Sequence, residues 1–394
     1  MRESGDGADA PMRVDAGDEG GASRDAGGFR GALSGDGGGA LRSGGAWLER
    51  GVPPAGDARA AAGALSGGGQ RASGAGPADG GAVGQAGGLG GDLGPRFDAQ
   101  VRPGGYVWWY IDAFSEDGRF GLTIIAFVGS VFSPYYAWRG RRAPENHCAV
   151  NVALYGEARG WAMTERGQGA LSRSRDQFTL GASNLTWDGV GLDISIEETC
   201  APWPRRLKGR VRLEGEGLNP RAFALASQGG HLWRPIAPRA RVEVRMERPE
   251  LRWRGSGYFD TNQGDEPLEA GFRRWNWSRA RLSQGARVFY EAERRREGAL
   301  ALSLGFAQDG TAFEIEPPPR ARLPKSRWLI ARETRGEGAR VLSTLEDAPF
   351  YARSRIAHRL AGEDAVSMHE ALDLDRFASP IVKAMLPFRM PRAG

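Results

Sequence analysis

Beyond residue 104, apolar and polar side chains alternate with a period of two, the repeat of a strand whose successive side chains face opposite ways. The clearest stretch is 106–113. There Tyr106, Trp108, Tyr110 and Asp112 form one row, and Val107, Trp109, Ile111 and Ala113 form the other. Similar runs at 122–132, 149–155, 160–164, 178–180, 192–197 and 207–213 predict a first set of strands. A second set is predicted at 240–246, 251–258, 271–281, 287–293, 299–306, 311–316, 328–333 and 340–345. Trp187-Asp188-Gly189 marks a hairpin turn between two of them. A helical repeat stands out only over 365–385. About 15 short strands separated by turn residues predict an all-β fold, sandwich or barrel, a choice that periodicity leaves open. Closure into antiparallel β-barrels removes exposed edges. A barrel of about eight strands encloses one small ligand, and the length allows two such units. Gly217, Asn219, Pro220 and Gly229-Gly230 interrupt the repeat, which places the division near 218–234 and gives domains 96–225 and 226–394.

Residues 1–95 read differently. Of the 60 glycines in 394 residues, 30 fall in the first 100 positions, whereas 11 of the 12 tryptophans lie beyond them. A Gly/Ala/Ser/Asp-rich segment whose only aromatics are Phe29 and Trp47 buries too little apolar surface to offset the entropy of ordering. The expectation is a disordered tail, or a start assigned too early. This segment carries 8 basic and 12 acidic side chains, and the remainder 45 and 36, so the folded part is cationic by 9. Only Lys208, Lys325 and Lys383 are lysines, and the arginines are dispersed among strands rather than gathered beside a reader motif. That argues against nucleic acid and favours a basic face toward anionic lipid.

Cys148, Cys200 and four histidines show neither zinc-site spacing nor a disulfide framework, and no glycine-rich phosphate cradle follows a strand. No metal or cofactor is expected. The most apolar run, 121–132, has 12 residues, against about 20 for a spanning helix. With no apolar leader visible, the expectation is a cytoplasmic chain that does not span the membrane.

The most unusual local feature is Gly255-Ser-Gly-Tyr-Phe-Asp-Thr-Asn-Gln-Gly-Asp265. If a strand runs through residue 260, Tyr258 and Asp260 share a face and Phe259 takes the other. A strand-end Asx turn over Thr261 and Asn262 fits the same spacing. His231-Leu-Trp233 has the same i, i+2 form, so imidazole and indole would share a face, although a histidine taken alone is more often structural than catalytic. Together these pairs supply acid, phenol, imidazole and indole, a set able to move protons in a dry pocket. Asp112 is either a second pocket carboxyl or a buried partner of an arginine. Trp108, Tyr110, Trp275 and Trp277 either line a lipid cavity or belong to an aromatic core.

Several longer strings carry a resemblance. Gly105-Tyr-Val-Trp-Trp-Tyr-Ile-Asp-Ala113, Ile125-Ala-Phe-Val-Gly-Ser-Val-Phe-Ser-Pro-Tyr-Tyr136, Asn146-His-Cys-Ala-Val-Asn-Val-Ala-Leu-Tyr-Gly156, Met163-Thr-Glu-Arg-Gly167, Gly257-Tyr-Phe-Asp-Thr-Asn262 and Arg274-Trp-Asn-Trp-Ser-Arg279 are similar to the carotenoid 1,2-hydratases, or hydroxyneurosporene synthases, of purple photosynthetic bacteria. The similarity covers about residues 96–390. It implies two lipocalin-like β domains with a short C-terminal helix, and a cofactor-free hydro-lyase. Such an enzyme adds water across the carbon 1 to carbon 2 double bond of an acyclic carotenoid, neurosporene or lycopene. The family's acid matches Asp260, with His231, Trp233 and Tyr258 as pocket neighbours.

The chemistry is compatible. Protonating an isolated alkene generates a tertiary carbocation for water to capture, and the scarce ingredient is acid. A free Asp is protonated about once in a thousand at pH 7, a deficit of roughly 4 kcal/mol, and burial can raise its pKa by about 3 to 5 units. The π faces of Trp233 and Tyr258 would stabilise the cation by about 0.5 to 2 kcal/mol, while His231 would orient water or restore the proton. A polyene lives in the bilayer, which implies a peripheral enzyme on the cytoplasmic side of the inner photosynthetic membrane, touching it through 377–390. The alternatives are a pericyclase or isomerase of another polyene, or a lipid-binding lipocalin. A carrier has no use for an acid in an oily cavity.

Overall fold

The structure, a computed structural model, describes residues 93–393. The expected disordered tail, residues 1–95, lies almost wholly outside them. The chain first lays down β1 (Tyr106–Ser115), β2 (Phe120–Val128), β3 (Cys148–Gly156) and β4 (Gly160–Arg166), with α1 (Pro134–Trp138) between β2 and β3. Three short strands follow, β5 (Leu171–Arg173), β6 (Gln177–Leu180) and β7 (Ser183–Trp187). Then come β8 (Gly191–Thr199), β9 (Arg206–Gly217), β10 (Phe223–Ala226), β11 (His231–Arg248) and β12 (Leu251–Gly264). All twelve join one antiparallel sheet in the order β4-β3-β2-β1-β12-β11-β9-β8-β7-β6-β5, with β10 alongside β11. The sheet curls into a nearly closed barrel. At the seam the Arg166 guanidinium of β4 donates to Glu198 of β8 at 2.8 Å, and the Ala201 amide donates to the Trp161 carbonyl.

A second antiparallel sheet has the order β16-β15-β14-β13-β21-β20-β19. Its strands are β13 (Phe272–Leu282), β14 (Gly285–Arg294), β15 (Ala299–Phe306), β16 (Ala312–Glu314), β19 (Glu337–Ala348), β20 (Tyr351–Leu360) and β21 (Glu363–Asp373), and β17 (Arg320–Leu323) pairs with β18 (Arg332–Arg335) apart from it. The helices α2 (Leu268–Gly271), α3 (Leu374–Ala378) and α4 (Pro380–Met385) are short.

The two rows of β1 explain the layering. Val107, Trp109, Ile111 and Ala113 pack with Ile124, Val152, Leu185, Val211 and Phe259 to fill the barrel interior. Tyr106, Trp108, Tyr110 and Phe114 face outward and join Phe272, Trp275, Trp277, Tyr290 and Met368 of the second sheet in a separate core. Each large apolar side chain buried this way stabilises the fold by about 1.5 to 3 kcal/mol. The interior that was expected to enclose a ligand is therefore packed, and the aromatic-polar row looks across to the second sheet.

Two sequence expectations change. The segment 218–234 is no boundary: β11 and β12 both belong to the first sheet, and the chain changes sheet between Gly264 and Phe272, at α2. The cause is the pairing of β12 with β1, which spans some 150 positions and leaves no local signal. The expected helix at 365–385 is a strand up to Asp373. β21 is buried on both faces at Ser367, Met368 and His369, which blurs its alternation. The Asp373 carboxylate then accepts from the Arg376 amide at 3.0 Å and starts α3. The hairpin signal at Trp187-Asp188-Gly189 holds. Asp188 accepts from the amides of Val190 and Gly191, and Gly189 adopts φ +94°.

Candidate active site

β12 runs unbroken through residue 260, so Asp260 occupies a strand interior rather than an Asx turn. Tyr258 and Asp260 share the outward face, while Phe259 enters the barrel core. In the register Asp260 lies opposite Tyr110 of β1 and Pro235 of β11, beside a bulge at Pro235/Ala237. The residue is 3% exposed. The Trp233 indole N–H and the Tyr258 hydroxyl both donate to Oδ2 at 2.8 Å. With Oδ2 taken by two donors, Oδ1 is the oxygen left to carry a proton; the Asn262 amide approaches it at 3.4 Å. Burial is the largest influence and drives the Asp260 pKa from 3.8 up to about 8, against the two donors, which lower it. At pH 7 the group is neutral by roughly ten to one. Burial likewise holds the phenols of Tyr110, Tyr258 and Tyr290 well above their ordinary range.

Asp260 borders a cavity of about 30 Å³, walled by Trp108, Tyr110, Asn262, Trp275, Trp277, Tyr290 and Glu370. Four expected substrate contacts, Trp108, Tyr110, Trp275 and Trp277, thus share this cavity with Asp260. Trp277 packs edge-on against Tyr110 at 5.5 Å and tilts onto Tyr258 at 5.3 Å. The cavity is wide enough for a water molecule. A larger cavity, about 430 Å³, lies apart and is lined by Tyr155, Trp161, Trp203, Glu346 and Arg389 among others. Size does not mark the chemistry here: the larger cavity is not bordered by Asp260. The two are bridged by Arg353, which donates to Tyr155 and Glu346 on one side and to Glu370 at 2.8 Å on the other.

Two expected site residues sit elsewhere. Asp112 is fully buried in an ion pair with Arg279, whose guanidinium lies 5.8 Å from the Tyr258 ring centre. It anchors β1 and does not border the cavity. His231 makes no bond to Asp260. Its Nδ1 meets the Tyr106 hydroxyl at 2.9 Å and its Nε2 meets Glu266 at 3.2 Å. Burial, the largest cause, lowers its pKa against the pull of Glu266. Two residues along β11 from Trp233, the ring bonds Tyr106 and Glu266 rather than Asp260. It holds Tyr106, which stacks on Trp108 at 5.0 Å. Asn262, Tyr290, Glu370 and Arg353 were not anticipated. Asn262 follows Asp260 by two positions and was legible from the period. Glu370 lay in the stretch read as helix, where no face could be assigned.

The profile of the family described as Carotenoid hydratase CrtC matches residues 124–394. The chain belongs to the carotenoid hydratase family. Relatives include acyclic carotenoid 1,2-hydratases of Thiocapsa roseopersicina, 54% identical over 309 residues and 76% of each chain, and of Rubrivivax gelatinosus, 50% identical over 308 residues and again 76% of each. That of Cereibacter sphaeroides is 45% identical over 68% of this chain and 98% of its own. A crystal structure of an AttH-type protein from Nitrosomonas europaea shares the fold at 15% identity, with a TM-score of 0.51 over 74% of this chain and 98% of its own. In this carotenoid hydratase, Asp260, Tyr258 and Trp233 form one hydrogen-bonded unit between the barrel and the second sheet.

Proposed function

We propose that this chain hydrates the terminal carbon 1 to carbon 2 double bond of an acyclic carotenoid, neurosporene or lycopene, with Asp260 as the acid. The observation that carries this reading is a neutral buried carboxyl on the wall of a water-sized, aromatic-lined cavity. The proton on Oδ1 moves to carbon 2 and leaves a tertiary cation at carbon 1. Water bonds to carbon 1, and loss of its extra proton restores the acid. Tyr110, Tyr258 and Trp277 turn π density toward the cation. Trp233 and Tyr258 hold Oδ2, orienting the carboxyl and stabilising the carboxylate that forms. Acid, water and alkene balance the step, so no cofactor enters it. The cavity admits water but not a polyene end, so entry requires a wall side chain to move. Trp275, which also borders a second cavity of about 200 Å³, is placed to do so.

We read the two sheets as a lipocalin-like pair acting peripherally on the cytoplasmic face of the photosynthetic membrane. No described helix is long and apolar enough to cross a membrane. Of the apolar segment 377–390, Phe377, Val382 and Met390 are buried, whereas Ile381 and Phe388 are 74% and 72% exposed beside Lys383 and Arg389. Asp260→Asn preserves shape and removes the acid. Incubated with lycopene, the wild type should yield a product heavier by one water in mass spectrometry, and the variant none. A product of unchanged mass would indicate an isomerase, and full hydration by the variant would refute the assignment.

A further inference from the structure

The cavity beside Asp260 has a second carboxyl, and three of its polar atoms find no partner among the described residues. Tyr110 OH, Asn262 Oδ1 and Trp277 Nε1 are buried without a hydrogen bond, yet all three residues border the same space of about 30 Å³. Buried polar groups are almost always satisfied, and a site with two to four such partners and this volume is the size and chemistry of one bound water. Glu370 reaches the cavity from β21, opposite Trp277 in the β13–β21 register. Its side chain is 13% exposed. Arg353 donates to its Oε1 through Nε at 2.8 Å, and Nη2 lies 2.8 Å from the same oxygen as an ion-pair contact. Oε2 makes no hydrogen bond among the described residues. The same guanidinium lies 5.7 Å from the Tyr110 ring centre, which fixes its height over the cavity.

We propose that Glu370 is the general base of the hydration, acting on a nucleophilic water seated by Tyr110, Asn262 and Trp277. This rests on the reading of Asp260 as the acid. The Asp260 Oδ1–H bond breaks as a C–H bond forms at carbon 2, and the alkene π pair supplies those electrons. A water lone pair then forms the C–O bond at carbon 1, and a water proton passes to Glu370 Oε2. Asp260 ends as carboxylate and Glu370 as acid, so one proton returns across the shared cavity before the next turnover. Two carboxyls on one cavity, one desolvated and one paired with arginine, divide acid from base.

Glu370→Gln retains an acceptor for Arg353 and removes the base. Hydration of lycopene should fall roughly 100-fold. In D₂O, recovered lycopene should gain deuterium at the vinylic carbon 2, because protonation continues while capture of the cation stalls and the cation reverts. Tyr110→Phe deletes a hydroxyl that bonds no protein group, so folding is not at stake. It should lower kcat about tenfold at nearly constant KM and raise the ratio of exchange to hydration. Asp260→Asn should show neither exchange nor hydration. Wild-type hydration by folded Glu370→Gln, or by Tyr110→Phe if Glu370→Gln does not fold, would overturn the base assignment while Asp260 stands. Hydration by Asp260→Asn would instead overturn the underlying acid.

Discussion

Burial moves the Asp260 carboxyl from 3.8 to about 8, and the shift that would ready it for the proposed protonation also works against folding. Between those values the unfolded chain has lost the proton and the folded chain has kept it. Stability therefore declines as pH rises from about 4 to about 8. At pH 7 the cost is on the order of 4 kcal/mol. Asp260→Asn should melt higher than wild type at pH 7 and lose that advantage at pH 4, as read by calorimetry. A lower melting point at pH 7 would show that the carboxyl is not held neutral. Turnover of the wild type should fall above pH about 8 as the acid ionises. His231 acts one contact further away, through Tyr106 and Trp108. His231→Gln should reduce kcat several-fold and leave that alkaline limb in place. A displaced limb would reveal a direct coupling to Asp260 that its hydrogen bonds do not show.

β12 carries the acid, and its last residue shows how tightly neighbouring elements are fitted around it. A Cβ at Gly264 would lie 2.5 Å from His231 Nδ1 and 2.8 Å from the Tyr106 ring, and one at Gly271 would meet His231 Nε2 at 2.6 Å. Gly264→Ala should cost about 1 to 3 kcal/mol in urea denaturation and reproduce the kcat loss of His231→Gln; an unchanged midpoint would mean that the ring can move aside. Most strands were legible because an outward polar row and an inward apolar row leave a period of two, as in β1 and β12. β5, β7, β10, β17 and β20 were missed, and the start of the predicted helix proved to be β21. In β20 and β21, residues such as Arg353, Ser354, Ser367 and His369 are buried, so polar side chains stand where an apolar row is sought.

For the molecule as a whole, the net charge of the fold bears on the proposed membrane contact. Ile381 and Phe388 project from the C-terminal segment among basic side chains, a combination in which apolar insertion and attraction to anionic lipid reinforce each other. Ile381→Glu with Phe388→Glu should weaken sedimentation with phosphatidylglycerol vesicles at least tenfold and leave turnover of detergent-dispersed lycopene unchanged. Equal binding by the double variant would place the membrane contact on another face.

The all-β class, the common face of Tyr258 and Asp260, and the family are all written in the amino-acid order, since alternation is a local property and long motif strings need no folding to be read. The tertiary structure alone sets the rest. It pairs β1 with β12, fills the barrel and moves the site to the gap between the sheets. It ties Asp112 to Arg279 and brings Glu370 to the cavity of Asp260. These depend on contacts between residues 100 or more positions apart, and the raised acidity constant of Asp260 is a sum of desolvation over neighbours that no stretch of sequence contains.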